Sequence, residues 1–286
     1  MIRKREMSDW PGAVESVLPM LDAESLRALR DGAPPDNPAL RVSSDLGDGE
    51  LAGSAFVRNA VVLLRAAAGE DENLWITATG TLSLASVARM RAETTWPDME
   101  ATEHFRDRVK YRERDIWELH VLRVIAQEAG LVESGALTLE PTALGRSMLE
   151  TGNLGMLQAL LFQAFFWRTD LSLFVGWLAR RVPGRWPQDD IGAVLWALSG
   201  VAGEWHGADT LAAACTDPGT PLPKGFLAWP GLLFVSRVLV PLGWFGVMEW
   251  REVQDMNDVR RWRKTALFDR LLSFDVRLVD RRPRGH

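Results

Sequence analysis

A chain of 286 residues with 47% hydrophobic and 25% charged side chains has the make-up of a folded globular protein, which excludes a disordered or fibrous polymer. Thirty-three basic against 38 acidic residues leave a net charge of −5, so the molecule as a whole offers no general surplus of positive charge to nucleic acid. A single cysteine, Cys215, excludes an internal disulfide framework and a cysteine-rich zinc site, and fits a reduced, cytoplasmic chain.

No apolar stretch of signal-peptide length succeeds the basic start, Met1 to Trp10. Residues 8–32 predict two short helices. The first is capped by Ser8 or Asp9 with Pro11 in its first turn; the second, AESLRALR, is capped by Asp22 and ends at Gly32. Residues 31–50, rich in Pro, Gly, Asp and Ser, read as an irregular linker. From Leu51 the pattern turns helical: Phe56, Ala60, Val61, Leu63 and Leu64 share a stripe that predicts a helix to about Ala68. LWITATGTL, after an acidic turn at 70–73, suits a short strand. Ser83 is placed to cap the helix LASVARMRAE, and the mixed charges of 103–114 read as a solvated connector. Ile116, Leu119, Val121, Leu122, Ile125, Ala126 and Ala129 then define a helix closed by Gly130.

The most informative stretch lies just beyond that helix. Residues 129–149 run from the helix end into a strand, a Ser134-Gly135 turn, a second strand ALTLE, and a helix opened by Pro141 and Thr142. This is the order of a winged-helix unit. A weaker copy occupies 236–276, in which Thr265-Ala266-Leu267 answers Thr142-Ala143-Leu144 and PLGWFGV (241–247) is set beside EAGLVES (128–134). Together with Thr77-Ala78-Thr79-Gly80-Thr81-Leu82 and the helix after it, both copies resemble the C-terminal region of the bacterial plasmid open-reading-frame-three-like proteins, passengers of mobile elements, over roughly residues 54–275. The resemblance implies a winged-helix fold and a mobile-element setting, and it carries no catalytic residues. That family's small α/β module has no visible counterpart here.

The expected architecture is mainly α: a helical bundle with two winged-helix-like units carrying small β-wings. Residues 1–50 form an N-terminal helical segment and linker, 51–150 hold the first unit, and 151–286 a Trp-rich helical layer with the second, degraded unit. Apolar runs such as Thr151–Trp167 are cut too short by Gly, Pro or charge to give the roughly 20 residues of a membrane span, so no membrane is expected.

A helix that reads DNA needs polar and basic side chains facing the groove. The helix 115–130 offers Asp115, Glu118, His120, Arg123, Gln127 and Glu128, mostly of the wrong sign for phosphate. The helix 230–243 offers only Ser236 and Arg237. Neither reads as a recognition helix. Beside the second wing, however, Arg260, Arg261, Arg263 and Lys264 cluster around Trp262, and the last 36 residues hold ten basic and six acidic side chains. This is a candidate site for sequence-independent contact with DNA phosphates.

The four histidines show no metal-ligand spacing, and neither a phosphate loop nor a nucleophile elbow occurs, so no catalytic site, metal or cofactor is expected. The one compact acid–His–acid grouping is Glu204, His206 and Asp209, a remote candidate for acid–base chemistry. Thirteen tryptophans crowd toward the second half. Trp229, Trp244, Trp250 and Trp262 are candidate anchors for a protein partner or for self-association. The sequence thus favours a non-catalytic winged-helix scaffold for protein–protein interaction, with a DNA-binding regulator using the basic wing as the alternative.

Overall fold

A computed structural model describes residues 15–69, 72–97, 111–150, 153–171, 185–217, 230–253 and 260–279. The fold is mainly helical with small antiparallel sheets. Contacts divide the chain into two units: one comprises 43–169 with 244–246, the other 1–42, 170–243 and 247–279 of the described residues.

In the first of these, Ser54 caps α2 (Ala55–Ala68) by accepting the Val57 N–H. The helix buries Phe56, Ala60, Leu63, Leu64 and Ala67. Ser83 caps α3 (Leu84–Glu93) in the same way, through the Ser86 N–H. Helix α4 (Trp117–Glu128) ends at Gly130, whose φ of 71° only glycine adopts without strain. Next come a hairpin of β2 (Val132–Ser134) and β3 (Leu139–Pro141), then α5 (Ala143–Ser147), capped by Thr142, and α6 (Leu154–Gln163), which runs into a π turn at Ala164–Arg168. Residues 74–76 reach the hairpin through single bridges, Trp75 to Thr138 and, on the other side, Ile76 to Leu82, rather than as the expected strand. The core is aromatic. Phe56, Trp96, Phe162, Phe165, Phe166, Trp244 and Phe245 are all at most 3% exposed, and their rings meet edge-to-face or stacked.

In the other unit, Asp22 caps α1 (Ala23–Asp31) through the Ser25 N–H, as its position in the sequence predicts. Helix α1 lies close against α7 (Ile191–Val201): a Cβ at Gly192 would stand 2.2 Å from the Leu29 carbonyl oxygen, so glycine is what permits the approach. Arg30 fastens the region by ion pairs to Asp190 (2.7 Å) and Asp217 (3.1 Å). The stretch 31–50, expected to be irregular, contains β1 (Leu40–Val42), which pairs antiparallel with β7 (Leu272–Phe274). Its partner lies at the far end of the sequence, where local composition gives no sign of it. After α7 come β4 (His206–Gly207), α8 (Ala208–Ala214), α9 (Pro230–Phe234), a π turn Val235–Leu239, α10 (Val240–Trp244), β5 (Met248–Glu252), β6 (Arg260–Lys264) and α11 (Ala266–Leu271). Arg237, expected to face outward, is 2% exposed and donates to the Trp186 carbonyl.

Among the described residues each unit contains one stretch with the same order of elements: helix, bridging segment, helix, helix, hairpin, short helix. Equivalent closures fix the alignment. Thr142 N–H donates to the Leu131 carbonyl at 3.0 Å and Thr265 N–H to the Val247 carbonyl at 2.9 Å, each acceptor lying one residue after a left-handed glycine, Gly130 or Gly246. This sets Gly246, not Gly243, beside Gly130, three residues from the match that sequence comparison suggests. Trp75 opposite Thr138 then answers Gly207 opposite Arg261.

Among the described residues no helix is long and apolar enough to cross a membrane.

Candidate functional site

Register decides what the second hairpin presents. In β5 and β6, Glu249 faces Arg263, Trp250 faces Trp262, Arg251 faces Arg261 and Glu252 faces Arg260, while β4 adds His206 beside Trp262 and Gly207 beside Arg261. Side chains alternate between the two faces of a sheet. One face turns inward with Met248 and Trp262, 2% and 1% exposed. The other carries Glu249, Arg251, Arg261 and Arg263. Trp205, just before β4, lies on this second face, with its ring 4.6 Å from the Arg251 guanidinium and 4.6 Å from that of Arg263. Contacts at such distances are cation–π interactions.

Charge on this outer face is unbalanced. Glu249 Oε1 accepts from Arg263 Nε at 2.9 Å and from its terminal nitrogen at 2.6 Å. Arg251 and Arg261 stand directly opposite each other across the ladder, a like-charge juxtaposition that is unfavourable by itself. A phosphate placed over this face would meet three guanidiniums, the side chains best suited to it, one of them already paired with Glu249. Of the four cations that sequence singles out, two lie on the opposite face, with Trp250 and Trp262. Arg260 stacks on Trp250 at 3.9 Å, and Lys264 donates to the Ser199 carbonyl (2.8 Å) and Asp269 (2.7 Å). Arg261 and Arg263 remain on the outer face. Arg251 and Trp205 were missed by sequence; strict two-residue alternation counted forward along β5 from Glu249, the residue paired with Arg263, would have found Arg251.

The three tryptophan anchors among the described residues do not form an exposed surface. Trp244 is 1% exposed among Trp96, Trp117 and Phe56, Trp262 is buried under the wing, and Trp250 is half-buried beneath Arg260. Trp229 lies outside the described residues. Large rings set in apolar stretches have gone to the core, where their area is removed from water.

Nor are Glu204, His206 and Asp209 brought together: among the described residues no hydrogen bond joins them. Glu204 is exposed, His206 sits in the β4 ladder, and the Asp209 carboxylate accepts the Gly231 N–H. Burial still raises the Asp209 pKa above its ordinary value. No group of three or more metal-binding side chains occurs among the described residues. Cys215 is buried, its Sγ 3.7 Å from the Val194 carbonyl, and burial pushes the thiol pKa up. It is therefore expected to resist a thiol reagent such as Ellman's in the native protein and to react at once in denaturant; prompt native reaction would contradict its burial.

The 43–169 unit holds a polar cluster where sequence suggested a solvated connector. Glu113, 1% exposed, accepts from His120 Nδ1 at 2.6 Å, Arg123 Nε at 2.7 Å and the Leu82 N–H at 2.5 Å. Arg123 goes on to Gln127, and Gln127 Nε2 donates to Ser134 Oγ at 3.1 Å. Burial would raise the Glu113 pKa, but the hydrogen bond from His120, the Arg123 charge and the Leu82 N–H outweigh it and hold the carboxyl below its ordinary value. Glu118 and Arg123, expected on the outer face of α4, are 9% and 7% exposed, and within that helix only Glu128 is classed as exposed. Helix α4 therefore leaves few of its polar side chains open to solvent.

The Y4jL N-terminal domain family matches residues 52–153, the stretch that carries α2 to α5. No curated protein and no solved structure matches the chain. Over those residues the chain is similar to a Y4jL N-terminal domain.

Proposed function

We propose that the protein is a non-catalytic nucleic-acid-binding protein, built on two winged-helix-like units, that grips the phosphate backbone with its second wing and reads no base sequence. The observation that carries this is the outer face of β5 and β6, where Arg251 and Arg263 both lie against Trp205 and Arg261 stands directly opposite Arg251. The absence of sequence reading is inferred from helices α4, α9 and α10, whose side chains are largely packed inward. A mobile-element setting, implied by the resemblance to plasmid-borne proteins, agrees with a protein that must hold any DNA it meets.

Fluorescence anisotropy with a labelled duplex of arbitrary sequence tests it. Binding is expected at low salt and should weaken steeply toward physiological salt, with the log–log slope falling by about one for each phosphate contact removed. The double reversal Arg251→Glu/Arg261→Glu should weaken binding at least ~100-fold at low salt, taking about 1.5–3 kcal/mol per charge-assisted contact, in a variant that still unfolds cooperatively. An undiminished affinity in that variant would remove this site, and no binding at low salt would remove nucleic acid altogether.

The scaffold reading keeps one support of its own. Trp75, Leu84 and Leu137 are 41%, 49% and 57% exposed and belong to neighbouring positions at the first hairpin, since Ile76 N–H donates to the Leu137 carbonyl and Ser83 N–H to that of Trp75.

A further inference from the structure

Two short segments of the 43–169 unit face each other across an open groove of about 550 Å³. One wall is the turn from Thr77 to Leu82 with Leu84; the other is Arg112 to Asp115. A single buried carboxylate ties both walls to α4. Glu113 Oε2 accepts the Leu82 N–H from the first wall, and Oε1 takes His120 and Arg123 from the helix. A buried charge network is a weak source of stability because desolvation consumes most of its attraction; fixing the spacing of two walls is the role it serves best.

Two of the lining side chains, Glu113 and Asp115, are carboxylates that accept N–H groups of the walls; the other polar ones, two guanidiniums and three hydroxyls, can donate to an anion. Thr77 Oγ1 is bonded to Thr79 Oγ1 at 3.0 Å and to Thr81 Oγ1 at 2.9 Å. Three hydroxyls carry three protons and these two bonds use two, so one O–H is left to donate outward. On the facing wall Arg112 and Arg114 are exposed and enter no ion pair among the described residues. The Asp115 carboxylate accepts the Arg112 N–H at 2.9 Å. Leu82 and the exposed Leu84 supply an apolar side to the groove.

We infer that this groove binds a small phosphomonoester, its phosphoryl group between the two guanidiniums and the threonine hydroxyls and its organic part against Leu84. Two guanidiniums with a hydroxyl donor suit the several acceptor oxygens of a dianion better than a carboxylate. The volume falls within the usual range of about 300–1,000 Å³ for small-molecule sites. The site belongs to one copy of the repeated unit only, since in the other Gly207 runs directly into the helix at Ala208 with no intervening turn. It is independent of the nucleic-acid reading, which rests on residues 205–263.

Isothermal titration calorimetry of the full chain with phenyl phosphate, inorganic phosphate and benzoate tests it. Phenyl phosphate is expected to bind one to one, and both inorganic phosphate, which lacks the apolar contact, and benzoate to bind about tenfold more weakly or worse. Arg112→Gln and Arg114→Gln should each weaken phenyl phosphate by about tenfold at unchanged thermal midpoint, with Thr77→Val weakening it in the same direction. No saturable heat from phenyl phosphate at millimolar concentration, or affinity that survives the double Arg112→Gln/Arg114→Gln change, would overturn the site. Benzoate binding as tightly as phenyl phosphate would overturn the assignment to a phosphoryl group.

Discussion

Glu113→Ala is expected to lower stability by about 3–5 kcal/mol, because it leaves the Arg123 guanidinium buried without its counter-charge. Against a typical domain stability of roughly 5–15 kcal/mol, this is enough to leave the 43–169 unit marginal. Three donors lose their acceptor at once: His120 Nδ1, Arg123 Nε and the Leu82 N–H. Glu113→Gln keeps one acceptor oxygen and should cost less. A paired Glu113→Leu/Arg123→Met change, which removes both charges, should recover much of the loss. Urea titrations of the three variants give the comparison, and a loss below about 1 kcal/mol in Glu113→Ala would show that the cluster is not closed around this carboxylate.

The same group fixes the direction of a pH effect. Its folded-state pKa lies below the ordinary value of 4.5, so the unfolded chain takes up the proton more readily. The contribution is therefore complete above that ordinary value and is lost as pH falls through the folded-state pKa. Native protein should destabilise on the acid side more steeply than Glu113→Gln, and parallel acid limbs would contradict the assignment.

Phe245→Ala should also cost about 3–5 kcal/mol, for a different reason. Its ring stacks on Phe56 at 4.6 Å and meets Phe162, Phe165 and Phe166 at 5.1, 5.7 and 6.1 Å, so truncation opens a void that four rings border. Dense packing prevents those rings from closing it. The Phe245 carbonyl accepts from Gln158 Nε2 at 2.9 Å, and Gln158 Oε1 accepts from Ser54 Oγ, the cap of α2. A side-chain change leaves this backbone acceptor in place, so the loss is expected to scale with ring volume, smaller for Phe245→Leu than for Phe245→Ala. Denaturant midpoints at constant m-value are the measurement; equal losses in the two variants would point instead to the hydrogen-bond chain.

Local signals placed much of the fold correctly. Asp22, Ser83 and Thr142 are N-caps where sequence puts them, and the stripe from Ile116 to Ala129 is buried as a stripe should be. Long-range pairing was not legible. Strand β1 exists because residues 272–274 complete it, and Glu113 sits in a run of mixed charge that is, in isolation, indistinguishable from a solvated turn. The wing was half legible: a cluster of arginines is visible in sequence, but which of them share a face depends on a register that only the hairpin sets. Tryptophan gave the least guidance, because ring size suits a core and an interface equally.

Two versions of one folding unit within a single chain carry a hazard during synthesis, since a strand of one can seek the hairpin of the other. The bridging segments differ at the crossing itself. In one copy the residue at the crossing is Trp75, opposite Thr138; in the other it is Gly207, opposite Arg261. A Trp75 segment that strayed into the second hairpin would bring an indole to a place occupied by a hydrogen atom, and the reverse error would leave Thr138 facing bare backbone. Unequal crossing residues thus make each hairpin a poor fit for the other's bridging segment.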